Sequence, residues 1–232
     1  MSKVNTIIDQ PQTGSAKMLR AMVGIGVLCA LLIVVTYEQT LPRIERLRAE
    51  ALEQAIFNVV PGITKTKKFQ RNDDNTFTEV TNPDKTRQIV YAGYNDNNEF
   101  IGIAVEAAGQ GYADIIRILY GYNPKTETIV GFYVLESKET PGLGDKIEKD
   151  QTFLDNFNAL DVSLSDQSEI KNNVVTVKSG SKVNAWEVDG ITGATISSRA
   201  IGAIINASSK DIIPLLYKHK QTFEMYKSET EE

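Results

Sequence analysis

Residues 21–37 read AMVGIGVLCALLIVVTY, an uncharged run that Met18 and Leu19 extend on the far side of Arg20. About 20 helical residues cross a ~30 Å hydrocarbon core, so the run predicts one membrane-spanning helix over residues 18–37. A buried core helix of this length would carry a polar face. A cleavable signal would have a shorter apolar region, followed by small residues. Here Tyr37, Glu38, Gln39 and Leu41 follow, which predicts an uncleaved anchor after a short N-terminal segment, residues 1–17. Lys3, Lys17 and Arg20 precede the span and Arg43, Arg46 and Arg48 follow it, so basic residues alone do not orient it.

Beyond the anchor the periodicity becomes helical. Ile44, Leu47, Ala51 and Ala55 form one stripe with Leu52, Ile56 and Val59 beside it, until Pro61-Gly62 ends the run. This predicts a juxtamembrane helix within residues 38–62. Residues 65–83 are polar and read as irregular, or as weak strand around residues 77–80. Four runs rich in Ile, Val, Tyr and Phe follow, at residues 88–94, 99–107, 114–120 and 127–136. Asp96-Asn97-Asn98 and Asn123-Pro124-Lys125 are turn signals between them. Residues 147–157 predict a short helix, 174–177 a strand, and 196–218 a longer helix that Pro214 should break or kink. In that helix Ile196, Ala200, Ile201, Ile204 and Ile205 read as one apolar face. The sum is an α+β domain, residues 63–226, with an antiparallel sheet and flanking helices, ending in a charged tail, residues 227–232.

Composition narrows the chemistry. The chain carries 25 basic and 30 acidic residues, a net charge of -5, and no block of more than two adjacent Lys or Arg. That argues against nucleic-acid binding, which needs a basic surface to displace counterions. One cysteine, Cys29 inside the anchor, excludes an internal disulfide and any multi-cysteine metal or iron–sulfur site. One histidine, His219, leaves little for a His-based metal site or a Ser-His-Asp triad.

Two glycine-bearing segments remain. Residues 189–198, DGITGATISS, lead directly into the last long helix. Glycines at a helix start let backbone N–H groups approach a ligand, and the helix N-terminus favours an anion. Thr195, Ser197 and Ser198 add hydroxyls there, although the ordinary reading is that Thr195 or Ser197 caps the helix and the glycines make the turn. No phosphate-loop lysine follows the glycines, and no nucleophile elbow surrounds the serines. Residues 136–144, ESKETPGLG, place Pro141-Gly142 at the centre of a type II turn, with Gly144 adding backbone freedom.

These segments carry a resemblance. TGATISS at residues 192–198, preceded by Asp189, resembles the flavinylation signature of the FMN-binding domain family, and ETPGLG at residues 139–144 is the second hallmark of its members. GQGY at residues 109–112 is similar to their glycine-tyrosine segment. The family is shared by RnfG, of the Rnf ion-translocating electron-transport complex, and NqrC, of the sodium-pumping NADH:quinone reductase. The chain's length and the short stretch between anchor and domain look closer to RnfG.

The resemblance implies an FMN phosphate esterified to Thr195. Thr192, where Ser is commoner in the family, and Ser197 stand beside it, with Gly193 and Ala194 leaving room for the phosphoribityl chain. Glu139, Thr140, Gly142, Leu143 and Gly144 are implied around the flavin ring. No metal and no acid–base residue is implied, because the flavin itself carries the redox chemistry. Also implied are a flavin transferase that takes FMN from FAD, and membrane and iron–sulfur partner subunits. The expected role is that of an electron-transfer subunit, not catalytic alone, of a complex linking ferredoxin and NAD to Na⁺ or H⁺ movement. It would sit in the inner membrane with its FMN domain on the periplasmic side. An NqrC-like role is the alternative, and a non-redox anchored ligand-binding module is the alternative from another class. Asp189 and Tyr112 receive no role from the resemblance.

Overall fold

The computed structural model describes residues 14–84 and 86–225, so most of the expected N-terminal segment and the expected tail lie outside the described residues. Contacts divide the chain into two units, Met1–Glu50 and Ala51–Glu232. The first is helical from Ser15 onward. Helix α1 (Ser15–Val59) contains a stretch of mean hydropathy 2.5, long and apolar enough to cross a membrane, with Pro42 inside the helix rather than at its start. Ile25, Leu28, Leu31 and Ile33 stand exposed along it, a surface suited to lipid. Thr36 and Thr40 donate their hydroxyls to the carbonyls of Leu32 and Thr36, at 2.7 and 2.9 Å, which satisfies them within the helix itself.

The second unit is built on a 7-stranded antiparallel sheet. Its strands are β1 (Lys65–Arg71), β2 (Phe77–Glu79), β3 (Ile89–Tyr94), β4 (Phe100–Gln110), β5 (Ile115–Asn123), β6 (Thr128–Glu136) and β7 (Leu160–Asp161), in the order β2-β1-β3-β4-β5-β6-β7. All neighbours pair antiparallel. The four apolar runs of the sequence are β3 to β6, and both turn signals fall between the strands they were expected to join.

Side chains alternate across this sheet. One face presents Ala92, Ile103, Val105, Ile118 and Tyr120 to α3 (Thr195–Lys218), whose Ile201, Ile204 and Ile205 complete the larger core. The other face presents Tyr91, Ala104 and Leu119 to Ala55, Ile56, Val59, Val60 and Ile63. Glycines open this second face. In register, Gly93 opposes Gly102 and Gly121 opposes Gly131. A Cβ on either Gly121 or Gly131 would collide with the Val59 carbonyl oxygen. The missing side chains let the end of α1 lie directly on the strands.

Between β6 and α3 the chain is irregular. The helix expected at residues 147–157 is three short pieces: a 3-10 turn at Gly144–Glu148, helix α2 (Gln151–Leu154) and a second 3-10 turn at Asp155–Phe157. Asp150 caps α2 by accepting from the Phe153 amide at 3.3 Å, which fixes a new helix start where one continuous helix was expected. Strands β8 (Val175–Val177) and β9 (Glu187–Asp189) pair in parallel beside α3. Pro214 lies inside α3 without ending it. Helix α4 (Lys220–Glu224) follows and buries Phe223 against Phe69, Phe77 and Phe100. Strand β1 corrects the reading of residues 65–71 as irregular: backbone pairing to β2 and β3 makes it a strand, although Phe69 alone of its residues is buried.

Candidate functional site

The start of α3 is shaped by a tight turn. Gly193 adopts φ +86, a conformation glycine reaches without strain, and the Ala194 amide donates to the Ile191 carbonyl at 3.1 Å. Ala194 is the N-cap residue, and no side chain caps this end. The first intrahelical bond runs from the Ser198 amide to the Ala194 carbonyl at 2.9 Å, so the amides of Thr195, Ile196 and Ser197 precede it. The Ser198 hydroxyl donates to the same carbonyl at 2.9 Å and accepts from the Ile191 amide at 3.3 Å, binding the turn to the helix.

Hydroxyl exposure separates the candidates. Ser197 and Ser198 are buried and engaged within the protein, whereas Thr192 and Thr195 are exposed. The expected capping by Thr195 or Ser197 is therefore replaced by an open helix end with an exposed threonine in its first position. Ile196, expected on the apolar core face, is 57% exposed, because the face toward the sheet is set by Ser197, Ser198, Ile201 and Ile205.

The 139–144 segment forms the predicted turn. Gly142 takes φ +77 and the Leu143 amide donates to the Thr140 carbonyl at 3.1 Å. Glu139, only 5% exposed, lies beneath it. Its Oε1 accepts from the amides of Tyr112 and Ala113 at 2.8 and 2.9 Å, and its Oε2 accepts from the Ser197 hydroxyl. The Lys149 ammonium holds the Asp145 carboxyl below its ordinary range through a 2.6 Å contact.

The two segments converge on one open cavity of about 360 Å³. Glu139, Thr140, Leu143 and Gly144 line it from one side, Gly193, Ala194, Thr195, Ile196 and Ser197 from the other, and Tyr112 completes it. Gly142 shapes the turn without lining the cavity, and Thr192 lines an adjacent cavity of about 450 Å³ with Lys146 and Lys149. Tyr112, Leu143 and Ile196 are 65%, 53% and 57% exposed, so the rim offers apolar surface at the mouth of the cleft. The Lys146 ammonium stands 4.0 Å from the position a Cβ on Gly193 would occupy, adding positive charge beside the helix end.

Asp189 lies apart from this chemistry. Its carboxylate accepts from the amides of Gly180 and Ser181 at 2.8 and 3.2 Å and so holds that loop against β9. Tyr112 and Ile196 are the lining residues that the sequence did not assign. The GQGY segment was a signal for Tyr112; Ile196 was hidden by its apparent place in a helical stripe.

Comparison with known proteins places this geometry. The model of the FMN-binding domain family matches residues 111–210, which contain both glycine segments and Tyr112. The G component of the ion-translocating oxidoreductase complex of Methanosarcina acetivorans is 30% identical over 80% of this chain and 87% of its own length. The protein of the same name from Pasteurella multocida is 31% identical over 83% of this chain and 89% of its own. The G component of the Na(+)-translocating ferredoxin:NAD(+) oxidoreductase complex of Acetobacterium woodii is 27% identical over 79% and 84%. Among solved structures, NqrC of Shewanella oneidensis superposes with a TM-score of 0.61 at 18% identity, covering 76% of this chain and 99% of that one, a likeness of fold.

Proposed function

This chain belongs to the family of RnfG, the G component of ion-translocating oxidoreductase complexes, and on that footing we propose that it is the covalent-FMN electron-transfer subunit of such a complex, flavinylated at Thr195. The observation that carries the reading is exposed Thr195 at the uncapped start of α3, lining a cleft with an apolar rim. Helix-end amides and Lys146 favour the single negative charge of a phosphodiester there. Gly193 keeps the approach open, and Tyr112, Leu143 and Ile196 offer contact to a flat ring. A cavity near 360 Å³ that is open to solvent suits a cofactor retained by a bond rather than by enclosure.

Attachment is a phosphoryl transfer by a separate flavin transferase. Thr195 Oγ1 loses its proton and forms the bond to the phosphorus of the flavin's own phosphate, while the bond from that phosphorus to the AMP portion of FAD breaks and AMP leaves with the proton. The bound flavin supplies one- and two-electron redox chemistry. The chain's own residues hold it, neutralise its phosphate and leave one side open to partner subunits. Those partners are the membrane and iron–sulfur subunits of a complex that exchanges electrons between ferredoxin and NAD and moves Na⁺ or H⁺. The anchor holds the protein in the inner membrane, with the FMN domain on the periplasmic side. The RnfG-type relatives at 27–31% identity favour this assembly over the quinone reductase, to whose NqrC component the likeness is one of fold.

The test is a pair of variants expressed with the maturation enzyme. Thr195→Val should lose one flavin mass and the fluorescent band in a denaturing gel, and Thr195→Ser should keep both. A fluorescent Thr195→Val protein refutes the assignment.

A further inference from the structure

The Glu139 carboxylate joins three segments that the sequence keeps far apart. It receives the Tyr112 and Ala113 amides on one oxygen and the Ser197 hydroxyl on the other. Donors on both oxygens match an acceptor-only carboxylate, and burial of such a group is tolerated because it is so bonded. Two glycines make room for it. A Cβ on Gly111 would lie 2.5 Å from Oε1, and one on Gly144 would meet Oε2 and come within 2.9 Å of the Ser197 hydroxyl. The glycines of the two loops are thus shaped around this acid. Ser197 stands two residues after Thr195, in the first turn of α3, where the helix end favours negative charge.

We propose, resting on the reading of this cleft as the flavin site, that Glu139 is a positioning residue for the tethered ring. It acts through its partners: it locks the loop bearing Tyr112, the turn bearing Leu143 and the helix start bearing Thr195 into one arrangement. The ring is thereby held in a single orientation between those side chains. The buried carboxylate also places negative charge beside the cleft, which opposes the addition of electrons to the ring and lowers its midpoint potential. Charge and geometry can be separated. Glutamine keeps the shape and can still accept both amides, while the Ser197 hydroxyl turns to accept from the new amide N–H.

The experiment uses the full-length chain, flavin-loaded and purified in detergent. Loading is read by intact mass, ring order by visible circular dichroism and flavin fluorescence anisotropy, and charge by the midpoint potential. Glu139→Gln should load, keep the native dichroism and anisotropy, and shift the midpoint upward. Ser197→Ala removes one oxygen and cuts the link from the helix side. It should load, lose the induced dichroism and show a lowered anisotropy, as should Glu139→Ala. A Ser197→Ala protein with native dichroism and anisotropy overturns the positioning role even if Glu139→Ala fails to fold. An unshifted midpoint in Glu139→Gln overturns the electrostatic part. If the native protein carries no flavin, the reading of the cleft itself fails, which is evident before any variant is compared.

Discussion

Thr195 and Ser197 are two positions apart and meet opposite surroundings. One stands exposed in the cleft; the other is buried against Glu139. In a helix, successive residues turn by about 100°, so residues two apart point to different sides. That is why a single motif can supply both an attachment point and a structural tether. At this scale the motif positions were legible in the sequence, because glycine spacing and hydroxyl residues are visible as letters. Their division of labour was not, since exposure depends on which face of α3 meets the sheet. The hydroxyl series follows from exposure: Thr192→Val should retain the flavin, because Thr192 lines the neighbouring cavity rather than the cleft. Intact mass of the Thr192→Val and Thr195→Val proteins separates the two threonines.

Among elements, β3 to β6 were legible because both sheet faces are covered along their middles, which are accordingly rich in apolar residues. Strand β1 was not, for KTKKFQR contains one buried apolar residue and owes its conformation to pairing on both edges. Strands β7 and β9 are short and are made by partners distant in sequence, a signal no local window contains. The glycine row was equally silent, since Gly121 and Gly131 read as weak points in a strand until the end of α1 is seen against them. Gly121→Ala puts a methyl group against the Val59 carbonyl and should destabilise the domain by about 1–3 kcal/mol, the usual cost of overpacking. Thermal unfolding of the variant measures it; an unchanged midpoint would mean that the end of α1 yields freely.

For the whole molecule, the buried tyrosines set an alkaline limit. Burial pushes the phenols of Tyr91, Tyr120 and Tyr122 above their ordinary value of 10.0, with the Glu106 carboxylate adding to the effect at Tyr91. The unfolded chain then ionises first. The stability these groups contribute is full below pH 10.0 and falls as pH rises past it. Thermal midpoints measured on either side of that value should decline on the alkaline side, and phenolate absorbance from these residues should appear together with unfolding. Sidedness is tested on the same scale. The domain contains no cysteine, and Val183 is 86% exposed. A Val183→Cys protein in intact cells with a permeabilised outer membrane should react with an impermeant maleimide if the domain is periplasmic. Labelling that appears only after lysis would place it in the cytoplasm.

The most direct measurement is peptide mapping of the native protein by tandem mass spectrometry. The peptide containing residues 192–198 should carry one flavin phosphoester, with fragment ions placing it on Thr195. An unmodified peptide from protein made alongside its maturation enzyme, or an adduct on any other residue, would contradict the assignment of Thr195 as the point of attachment.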